Sequence, residues 1–341
     1  MRAARFHENG GPEKLRVEEM PTPEPGPGEV RIAVRASALN HLDLWVRRGI
    51  PIETTMPHVG GSDVAGVVDA AGDAAGEALL GARVVVNPSL WCGRCVDCAR
   101  GEESQCREYR ILGEHTDGGF AEYVVARAAN VYPVPDAVSF EDAAALPVSY
   151  GTAWRAVVGR AAVRPGEDVL VLGASGGTAV AAIQIAKLVG ARVFAVTKGA
   201  DSVARVRALG ADVVYDRAEV DFSREVHRDT GKRGVEVVVE NVGEATWTGS
   251  LRALARGGRL VTYGATTGAG GATDLNLLFW KQISILGSTM ASRAEFEAML
   301  RVALRREIRP VIDRVMPLAG IRAAHERLEA GGQFGKIVLV P

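Results

Sequence analysis

Short apolar runs alternate with stretches of helical periodicity in the second half of the chain, most clearly over residues 168–197. Residues 169–172 form an unbroken apolar run, which is typical of a strand buried on both faces of a parallel sheet. A glycine-rich turn follows, then small and apolar residues at helical spacing as far as Gly190, and a second apolar run at residues 193–196. The pattern predicts a strand, a helix and a parallel second strand.

The same alternation continues to about residue 286. The predicted elements are strands at residues 212–215, 235–239, 259–263 and 282–286, and helices at residues 204–209, 223–230 and 246–254. Strands that alternate with helices in this way form a doubly wound parallel sheet. We therefore expect an α/β domain over residues 151–287.

The first part of the chain has a different texture, in which short apolar runs are separated by turns. The predicted elements are strands at residues 15–17, 30–34, 64–68, 83–86 and 122–125, a proline-rich connector at 21–28 and a short helix within 39–48. This predicts a strand-rich domain over residues 1–150. The C-terminal elements, helices at 294–305 and 321–328 and a strand at 336–340, are too few to fold alone. We expect residues 288–341 to return and complete the first domain.

Composition narrows the class of protein. The 341 residues carry a net charge of −1 and are 24% charged and 47% hydrophobic, the balance of a soluble globular protein with room for two domains. Nothing in this balance indicates a nucleic-acid or membrane partner. The N-terminal residues lack the apolar core of a signal peptide, and the four cysteines are clustered as for a metal in a reducing compartment. We expect a cytoplasmic protein.

The glycine-rich turn predicts a dinucleotide site. Glycines let the backbone approach a pyrophosphate, and the helix that follows directs its positive N-terminus at the phosphates. The alternative, a glycine-rich surface turn, fits the strand–turn–helix–strand context less well. Two later segments also lie at carboxyl ends of predicted strands, where such a sheet binds its ligand. The candidate cofactor residues in these three segments are Gly173, Ser175, Gly176, Gly177, Thr178, Asn241, Val242, Tyr263, Gly264 and Ala265.

The four cysteines form the second motif, Cys92-x2-Cys95-x2-Cys98-x7-Cys106, in a lobe at about residues 88–110. Four thiolates on one tight loop suit a tetrahedral zinc ion with no open coordination position, hence a structural zinc. An iron–sulfur cluster and four uncoordinated cysteines are the alternatives. We expect one structural zinc per chain.

Together these features resemble the medium-chain dehydrogenase/reductase superfamily, which contains zinc alcohol dehydrogenases and quinone oxidoreductases of the zeta-crystallin type. The similarity covers essentially the whole chain, and residues 117–122 also match the family's G-G-x-A-E segment. The resemblance implies a GroES-like catalytic domain followed by a Rossmann domain. It also implies a homodimer or homotetramer, because the family pairs its cofactor sheets through the strand predicted here at residues 282–286.

The sequence departs from the zinc alcohol dehydrogenases at each position of the catalytic zinc. Asn40 replaces the first ligand cysteine, Ser62 replaces the histidine, and the third ligand position falls near Val148. These residues lack the soft and imidazole donors that a catalytic zinc takes. The interpretation is that the catalytic metal is lost and the structural metal is kept, as on the quinone-reductase side of the family.

The resemblance also assigns residues to the active site. Asn40 is a candidate catalytic residue because its amide can donate to a carbonyl oxygen, although it can instead cap the helix that begins at His41. Tyr150 is a second candidate by analogy. His41 and Lys336 match positions that contact the cofactor phosphates. Thr152 and Ser288 match positions near the nicotinamide.

The end of the second Rossmann strand bears on the choice of cofactor. An acidic residue is usual there in NAD-binding folds. Here Thr197 and Lys198 occupy the position, and no carboxylate follows until Asp201. A hydroxyl and a cation suit the 2′-phosphate of NADP(H), with Arg205 as a further partner. The alternative is that Lys198 is a solvated surface charge. We expect NADP(H) to be favoured over NAD(H).

These observations predict an NAD(P)H-dependent oxidoreductase that transfers hydride to a quinone, an enone or a related activated double bond without catalytic zinc. An alcohol or aldehyde dehydrogenase is the alternative. It is less favoured because an alcohol must lose a proton as hydride leaves, and zinc normally assists that step. A cofactor- or RNA-binding scaffold of the zeta-crystallin kind is a second alternative, which the lack of a basic stripe disfavours.

Overall fold

The structure is a computed structural model that describes residues 1–52 and 54–341. The chain forms two compact units. The first unit contains Met1–Val148, Ser292–Leu304 and Pro310–Pro341, and the second contains Ser149–Ala291 and Arg305–Arg309. Among the described residues, no helix has the length and apolar character that crossing a membrane requires.

The strands are β1 (Arg2–Phe6), β2 (Arg16–Glu19), β3 (Glu29–Ala38), β4 (His58–Val59), β5 (Asp63–Ala71), β6 (Arg83–Val86), β7 (Ser89–Leu90), β8 (Arg110–Ile111), β9 (Tyr123–Arg127), β10 (Val131–Pro133), β11 (Asp168–Val171), β12 (Arg192–Thr197), β13 (Val213–Asp216), β14 (Val235–Glu240), β15 (Leu254–Thr262), β16 (Ser284–Gly287), β17 (Ile312–Pro317) and β18 (Lys336–Val340). The helices are α1 (His41–Arg48), α2 (Ala74–Glu77), α3 (Val96–Ala99), α4 (Phe140–Ala144), α5 (Pro147–Trp154), α6 (Gly177–Val189), α7 (Ala200–Ala208), α8 (Phe222–Asp229), α9 (Trp247–Ala253), α10 (Leu275–Lys281), α11 (Arg293–Leu304) and α12 (Ile321–Glu329).

The second unit contains a parallel sheet in the order β13-β12-β11-β14-β15-β16, which confirms the predicted doubly wound α/β fold. The central strand β11 is apolar throughout its middle because both faces are covered, and Val169, Leu170 and Val171 are fully buried. Helix α6 ends at Gly190, which adopts the left-handed conformation that favours glycine. The strand order reverses between β11 and β14, so a ligand crevice is expected there.

The first unit is built on a mostly antiparallel sheet in the order β10-β6-β5-β3-β18-β17, with β9 also paired to β3. Buried residues alternate with more exposed ones along the first half of β3, which is the pattern of a sheet with one face on a core. The C-terminal strand β18 lies between β3 and β17, with Val338 opposite Ala38. Residues near the two ends of the chain therefore meet in one sheet.

Several elements differ from those predicted. Strand β1 was not expected because Ala3 and Ala4 give only a weak apolar signal, yet both are fully buried against β2 and β4. Helix α10 was missed, and it ends at Gln282 in the left-handed conformation. As a result β16 begins at Ser284 rather than Gln282, and its residues are mostly exposed at the edge of the sheet.

Candidate active site

The glycine-rich turn after β11 has the geometry of a phosphate cradle. Gly173 has a φ of +61°, and a Cβ there would lie 2.8 Å from Asn241 Oδ1, so the position excludes a side chain. The backbone N–H of Ala174 donates to Val196 O at 2.9 Å and ties the turn to β12. Gly176 is the N-cap residue of α6, and no side chain among the described residues caps this helix. The first turn of α6, at Gly177 and Thr178, therefore presents its N-terminus to an anion, with Ser175 half-buried beside it.

Three buried polar atoms follow the neighbouring strands at the same end of the sheet. Asn241 Oδ1, Tyr263 Oη and Ser288 Oγ have no hydrogen-bond partner among the described residues. They follow β14, β15 and β16, whose parallel arrangement brings their carboxyl ends to one edge. A buried polar atom without a partner is costly unless a ligand supplies one. These orphan atoms fit a polar ligand such as a nicotinamide nucleotide, and three of the predicted cofactor residues supply them.

Glu240 anchors the loop that carries Asn241. Its side chain is fully buried and accepts hydrogen bonds from the backbone of Val242 at 2.7 Å and Gly243 at 3.2 Å. It also accepts from the hydroxyls of Thr246 at 3.0 Å and Ser250 at 2.5 Å. Sequence reasoning missed this residue, because a glutamate at the end of a strand is ordinarily interpreted as a surface charge.

The predicted neighbours Gly264 and Ala265 follow directly after Tyr263. The backbone N–H of Tyr263 donates to Glu240 O at 3.3 Å, and Gly264 packs near Asn241, with a built Cβ 3.4 Å from the Asn241 carbonyl oxygen. The two loops after β14 and β15 are thus held together through Glu240 and Asn241.

The end of β12 carries a feature that the sequence did not reveal. Thr197 is buried, whereas Lys198 is exposed. The carboxylate of Asp216, at the end of β13, accepts from the backbone N–H of Gly199 at 2.8 Å. The adjacent strand therefore supplies a carboxylate to the turn after β12, where the sequence itself has no acidic residue before Asp201. Only the pairing of β12 with β13 brings it there.

Tyr150 and Thr152 have structural partners within the second unit. Tyr150 is 1% exposed, and its hydroxyl donates to Arg309 O at 2.6 Å and accepts from Gln184 Nε2 at 3.0 Å. The hydroxyl expected to face a substrate is thus engaged with the short segment Arg305–Arg309. Thr152 is also buried, and its Oγ1 lies 3.8 Å from Met290 Sδ.

The cysteine lobe has the geometry of a zinc site. The ligand atoms of Cys92, Cys95, Cys98 and Cys106 all lie within 4.8 Å of one another. The Cys95–Cys98 and Cys92–Cys106 Sγ atoms are 3.5 Å apart, and those of Cys92 and Cys98 are 4.0 Å apart. A tetrahedron with zinc–sulfur bonds of about 2.3 Å has edges of roughly 3.8 Å. Gly93 and Gly101 both take positive φ at the corners of the loop. The four side chains therefore fit a structural zinc.

Backbone amides favour the thiolate form in this lobe. The N–H groups of Arg94 and Cys95 donate to Cys92 and lower its pKa to about 6. Cys98, by contrast, has a pKa raised by burial. Among the described residues, this is the one cluster of three or more histidine, cysteine, aspartate or glutamate side chains close enough to share a metal ion.

A buried lysine, Lys336, lies beside Asn40, the residue that the sequence resemblance places at the first ligand position of the catalytic zinc. Lys336 Nζ donates to Asn40 Oδ1 at 2.5 Å and to Asp63 Oδ2 at 2.8 Å, and the side chains of Lys336 and Asp63 are 3% and 0% exposed. Asn40 Nδ2 donates to Asp63 Oδ2 at 3.0 Å. We call these three side chains the Lys336 pocket.

Two predicted roles differ from this arrangement. Lys336 was predicted to contact cofactor phosphates, but its ammonium is hydrogen-bonded to Asn40 and Asp63. Asn40 was predicted to donate to a substrate, but its amide N–H groups point at Asp63 and at Ala38 O, 3.4 Å away.

Helix α1 begins beside this pocket. Asn40 is its N-cap residue, and Asp43 accepts from the backbone N–H groups of Asn40 at 2.7 Å and Gly61 at 3.1 Å. Complete burial raises the pKa of Asp43 to about 7, although these hydrogen bonds and Lys336 act in the opposite direction. His41 is partly buried, and its pKa is lowered by burial and then by the charges of Lys336 and Arg48.

The residues at this position do not fit a catalytic zinc. Asn40 and Ser62 offer an amide and a hydroxyl, and Val148 offers only its backbone N–H, which donates to Asp63 Oδ1 at 2.8 Å. Ser62 is fully buried, and its Oγ has no partner among the described residues. Zinc sites use thiolate, imidazole and carboxylate donors. Asp63 has a carboxylate that zinc could use, but that carboxylate already accepts hydrogen bonds from the Lys336 ammonium, the Asn40 amide and the backbone N–H of Val148.

Comparisons with known protein families match the strand-rich unit and the α/β unit separately. Residues 26–136 match the alcohol dehydrogenase GroES-like domain, and residues 177–305 match the zinc-binding dehydrogenase family. The quinone oxidoreductase of Homo sapiens is 31% identical over 351 residues, which cover 100% of this chain and 98% of that protein. The acryloyl-coenzyme A reductase of Metallosphaera sedula is 33% identical over 324 residues, 95% of each protein.

A solved structure of an NAD-dependent alcohol dehydrogenase matches this fold with a TM-score of 0.95 and 46% sequence identity, and the match covers 100% of both chains. Identity at this level over the whole length, together with the nucleotide cradle and the cysteine lobe, identifies both the family and the general chemistry. The chain belongs to the medium-chain dehydrogenase/reductase superfamily and is an NAD(P)-dependent oxidoreductase.

Proposed function

We propose that this protein is a reductase of carbon–carbon double bonds conjugated to a carbonyl, as in quinones and enones, and that it works without a catalytic metal. The observation that carries the proposal is the Lys336 pocket. An ammonium is hydrogen-bonded to Asn40 and Asp63, and by the sequence resemblance Asn40 stands where the family's alcohol dehydrogenases have the first ligand of the catalytic zinc. Reduction of an activated double bond does not require an alcohol to be deprotonated, so it has less need of a metal ion.

The residues of the second unit support binding of the nicotinamide nucleotide. The N-terminus of α6 would hold the pyrophosphate. The unpartnered atoms that follow β14, β15 and β16, namely Asn241 Oδ1, Tyr263 Oη and Ser288 Oγ, would hold polar groups of the cofactor. The bound cofactor supplies the hydride. The protein's part is to fix the cofactor's position and to bind the acceptor so that transfer is favoured.

Alcohol oxidation is the second candidate function. It is favoured by the 46% identity to a solved NAD-dependent alcohol dehydrogenase. It is disfavoured because Asn40, Ser62 and Val148 stand at the three ligand positions of the catalytic zinc. Without a Lewis acid, a neutral alcohol would have to lose its proton to a protein group alone.

The proposed cofactor preference is for NADP(H). It is supported by the exposed Lys198 at the end of β12, whose ammonium can meet a 2′-phosphate. The rival is a preference for NAD(H), and Asp216 supports it, because its carboxylate at the same turn would repel a phosphate and accept from ribose hydroxyls.

Steady-state assays of the zinc-loaded protein test the function. NADPH or NADH oxidation is followed by absorbance with a panel of quinones, enones, aldehydes and ketones, and the reverse reaction is assayed with primary and secondary alcohols. The proposal expects turnover of the first two classes to exceed that of the others by at least tenfold. Alcohol oxidation that matches enone reduction, or that requires a second metal ion per chain, would refute it.

We further propose a homodimer or a dimer of dimers in the cytoplasm. Helix α10 exposes Leu275, Phe279 and Trp280 by 68%, 65% and 69%, and β16 is an edge strand with Ile285 exposed by 38%. Apolar side chains beside an unpaired edge indicate a surface that is covered in solution. Sedimentation of the protein at micromolar concentration as a monomer would exclude this assembly.

A further inference from the structure

The fold brings the lysine of the Lys336 pocket to its partners from the far end of the chain. Strand β18 begins at Lys336 and lies beside β3, which in turn pairs with β5 so that Ala38 is opposite Asp63. Gly335 has a φ of +87°, and a Cβ there would lie 2.1 Å from Val311 O. Only glycine permits this close approach, which sets the start of β18 and thereby the position of the lysine.

Each of the three side chains of the Lys336 pocket is hydrogen-bonded to the other two. Asp63 receives three donors, namely the Lys336 ammonium, the Asn40 amide and the Val148 backbone N–H. The ammonium also fixes the orientation of the Asn40 amide, because the opposite orientation would direct an N–H at Lys336 and an oxygen at Asp63. A fully buried carboxylate requires such compensation, since its loss of water is otherwise very unfavourable.

We propose that the Lys336 ammonium is the resident cation of this pocket and that it keeps a divalent metal ion out, an inference that rests on the metal-independent function proposed above. The ammonium neutralises Asp63, the carboxylate of the pocket. A divalent ion at the same place would meet a positive charge within a few ångströms, in surroundings that screen poorly. Replacement of the ligand side chains is therefore only part of the loss of the metal, because the lysine closes the site as well.

The test restores the missing ligands with and without the lysine. The triple variant Asn40→Cys, Ser62→His, Val148→Cys is compared with the same variant carrying Lys336→Met. Both are equilibrated with a zinc buffer, and zinc per folded chain is measured by plasma mass spectrometry. The inference expects one zinc per chain with Lys336 present and two with methionine. Two zincs in the presence of Lys336, or one in its absence, would overturn it.

A matched control replaces a lysine whose partner lies outside the pocket. Lys187 pairs with Asp212 at 2.8 Å near the surface of the second unit. The triple variant with Lys187→Met is expected to retain one zinc, so a rise to two there would attribute the effect to loss of any positive charge and would contradict the inference.

A second measurement in the otherwise natural chain does not depend on the folding of these variants. Lys336→Met and Asp63→Asn each leave a buried charge alone, and each is expected to lower the melting temperature by about 10 °C. The double variant is expected to lower it by less than the sum of the two single shifts. Additive shifts would show that the two groups do not act as a pair. A natural chain that already binds a second zinc would refute both the inference and the metal-independent function, whereas a second zinc found only in the triple variant would overturn the lysine inference and leave the proposed function intact.

Discussion

The cysteine lobe and the Lys336 pocket lie in the same unit, and each places acidic side chains, four thiols in the lobe and the Asp63 carboxylate in the pocket, where a positive charge is needed. In the lobe the four thiols come from residues 92–106 and three of them are half-exposed; the exposed Arg94 interacts with Cys92, but it is a single charge that also pairs with Glu108. In the pocket Asp63 and Asn40 lie 273 and 296 residues from Lys336 in the sequence, all three side chains are buried, and the chain supplies the cation as Lys336. One site thus depends on a metal ion from solution, whereas the other is neutralised by the chain itself.

Under the proposed metal-independent function, this contrast explains how one metal site can be lost while the other is kept. Cys92, Cys95 and Cys98 of the lobe are only half-buried, and the four thiolates repel one another unless a metal ion joins them. The pocket is part of the main sheet, where β3 pairs directly with both β5 and β18. A side chain can therefore replace a metal in the pocket, but it could not hold the lobe together.

The largest expected effect is loss of the lobe's zinc. Cys106→Ser removes one of the four ligands, and we expect the zinc content to fall from about one per chain to nearly none. The free energy of unfolding should fall by at least about 5 kcal/mol, because binding of a structural zinc contributes directly to folding. Elemental analysis and urea unfolding measure the two effects. Ser104→Ala, in the same lobe, is the control that should leave both unchanged, and full retention of zinc by the Cys106 variant would exclude a four-cysteine site.

Asp43 lies beside the Lys336 pocket, and we expect its titration to lower the free energy of unfolding as pH rises, which is the opposite of the expected effect in the lobe. Burial raises its pKa from 3.8 to about 7. Between these values the folded protein holds a proton that the unfolded chain has released, so the stabilisation is complete below about pH 4 and is lost as pH rises to about 7. The loss amounts to up to about 4 kcal/mol. In the lobe, protons compete with zinc for the thiolates, so stability there rises with pH.

The contribution of Asp43 can be isolated by substitution. Unfolding in urea is measured between about pH 5.5 and pH 8.5. The natural chain should lose stability with rising pH relative to Asp43→Asn. Glu114 has a pKa raised to about 7 by burial and contributes with the same sign, so Glu114→Gln is the matched variant that should remove a separate share. Identical slopes for the natural chain and the Asp43 variant would show that this carboxyl titrates normally.

These two sites also show what could be predicted from the sequence. The cysteine spacing and the glycine-rich turn are local patterns, so their ligands and their backbone geometry followed from neighbouring residues. The partner of Lys336 could not be predicted, because it depends on the register of β18 against β3 and of β3 against β5. Asp216 was missed for the same reason, since pairing of β12 with β13 places it beside Gly199. The doubly wound parallel type of the sheet followed from the alternation of elements, whereas contacts between distant side chains did not.

Glu240 offers a buried carboxylate that, unlike Asp63, is stabilised by hydrogen bonds from neutral donors. Glu240→Gln replaces one accepting oxygen by an N–H group that would face existing donors. We expect the free energy of unfolding to fall by about 3 kcal/mol and the KM for the cofactor to rise, because the loop bearing Asn241 loses its anchor. The exposed Glu244 in the same loop is the control, and Glu244→Gln should change neither quantity. An unchanged KM for the Glu240 variant would mean that the loop is held by other contacts.

The smallest expected effect concerns Lys198, which is exposed, whereas Lys336 is buried. A charge-assisted contact to the 2′-phosphate would contribute about 1.5–3 kcal/mol, which is roughly a ten- to hundredfold preference for NADPH in the dissociation constant. Lys198→Ala should remove most of that preference while leaving NADH binding intact, and added salt should weaken NADPH binding to the natural chain more than NADH binding.

Because Thr197 is buried, substitution of Lys198 alone is the cleaner test of this preference. Fluorescence titration with both nucleotides measures it, with Lys14→Ala on the first unit as the control. Equal affinities of the natural chain for the two nucleotides would mean that Asp216 offsets Lys198 at this turn and that the lysine is a solvated surface charge.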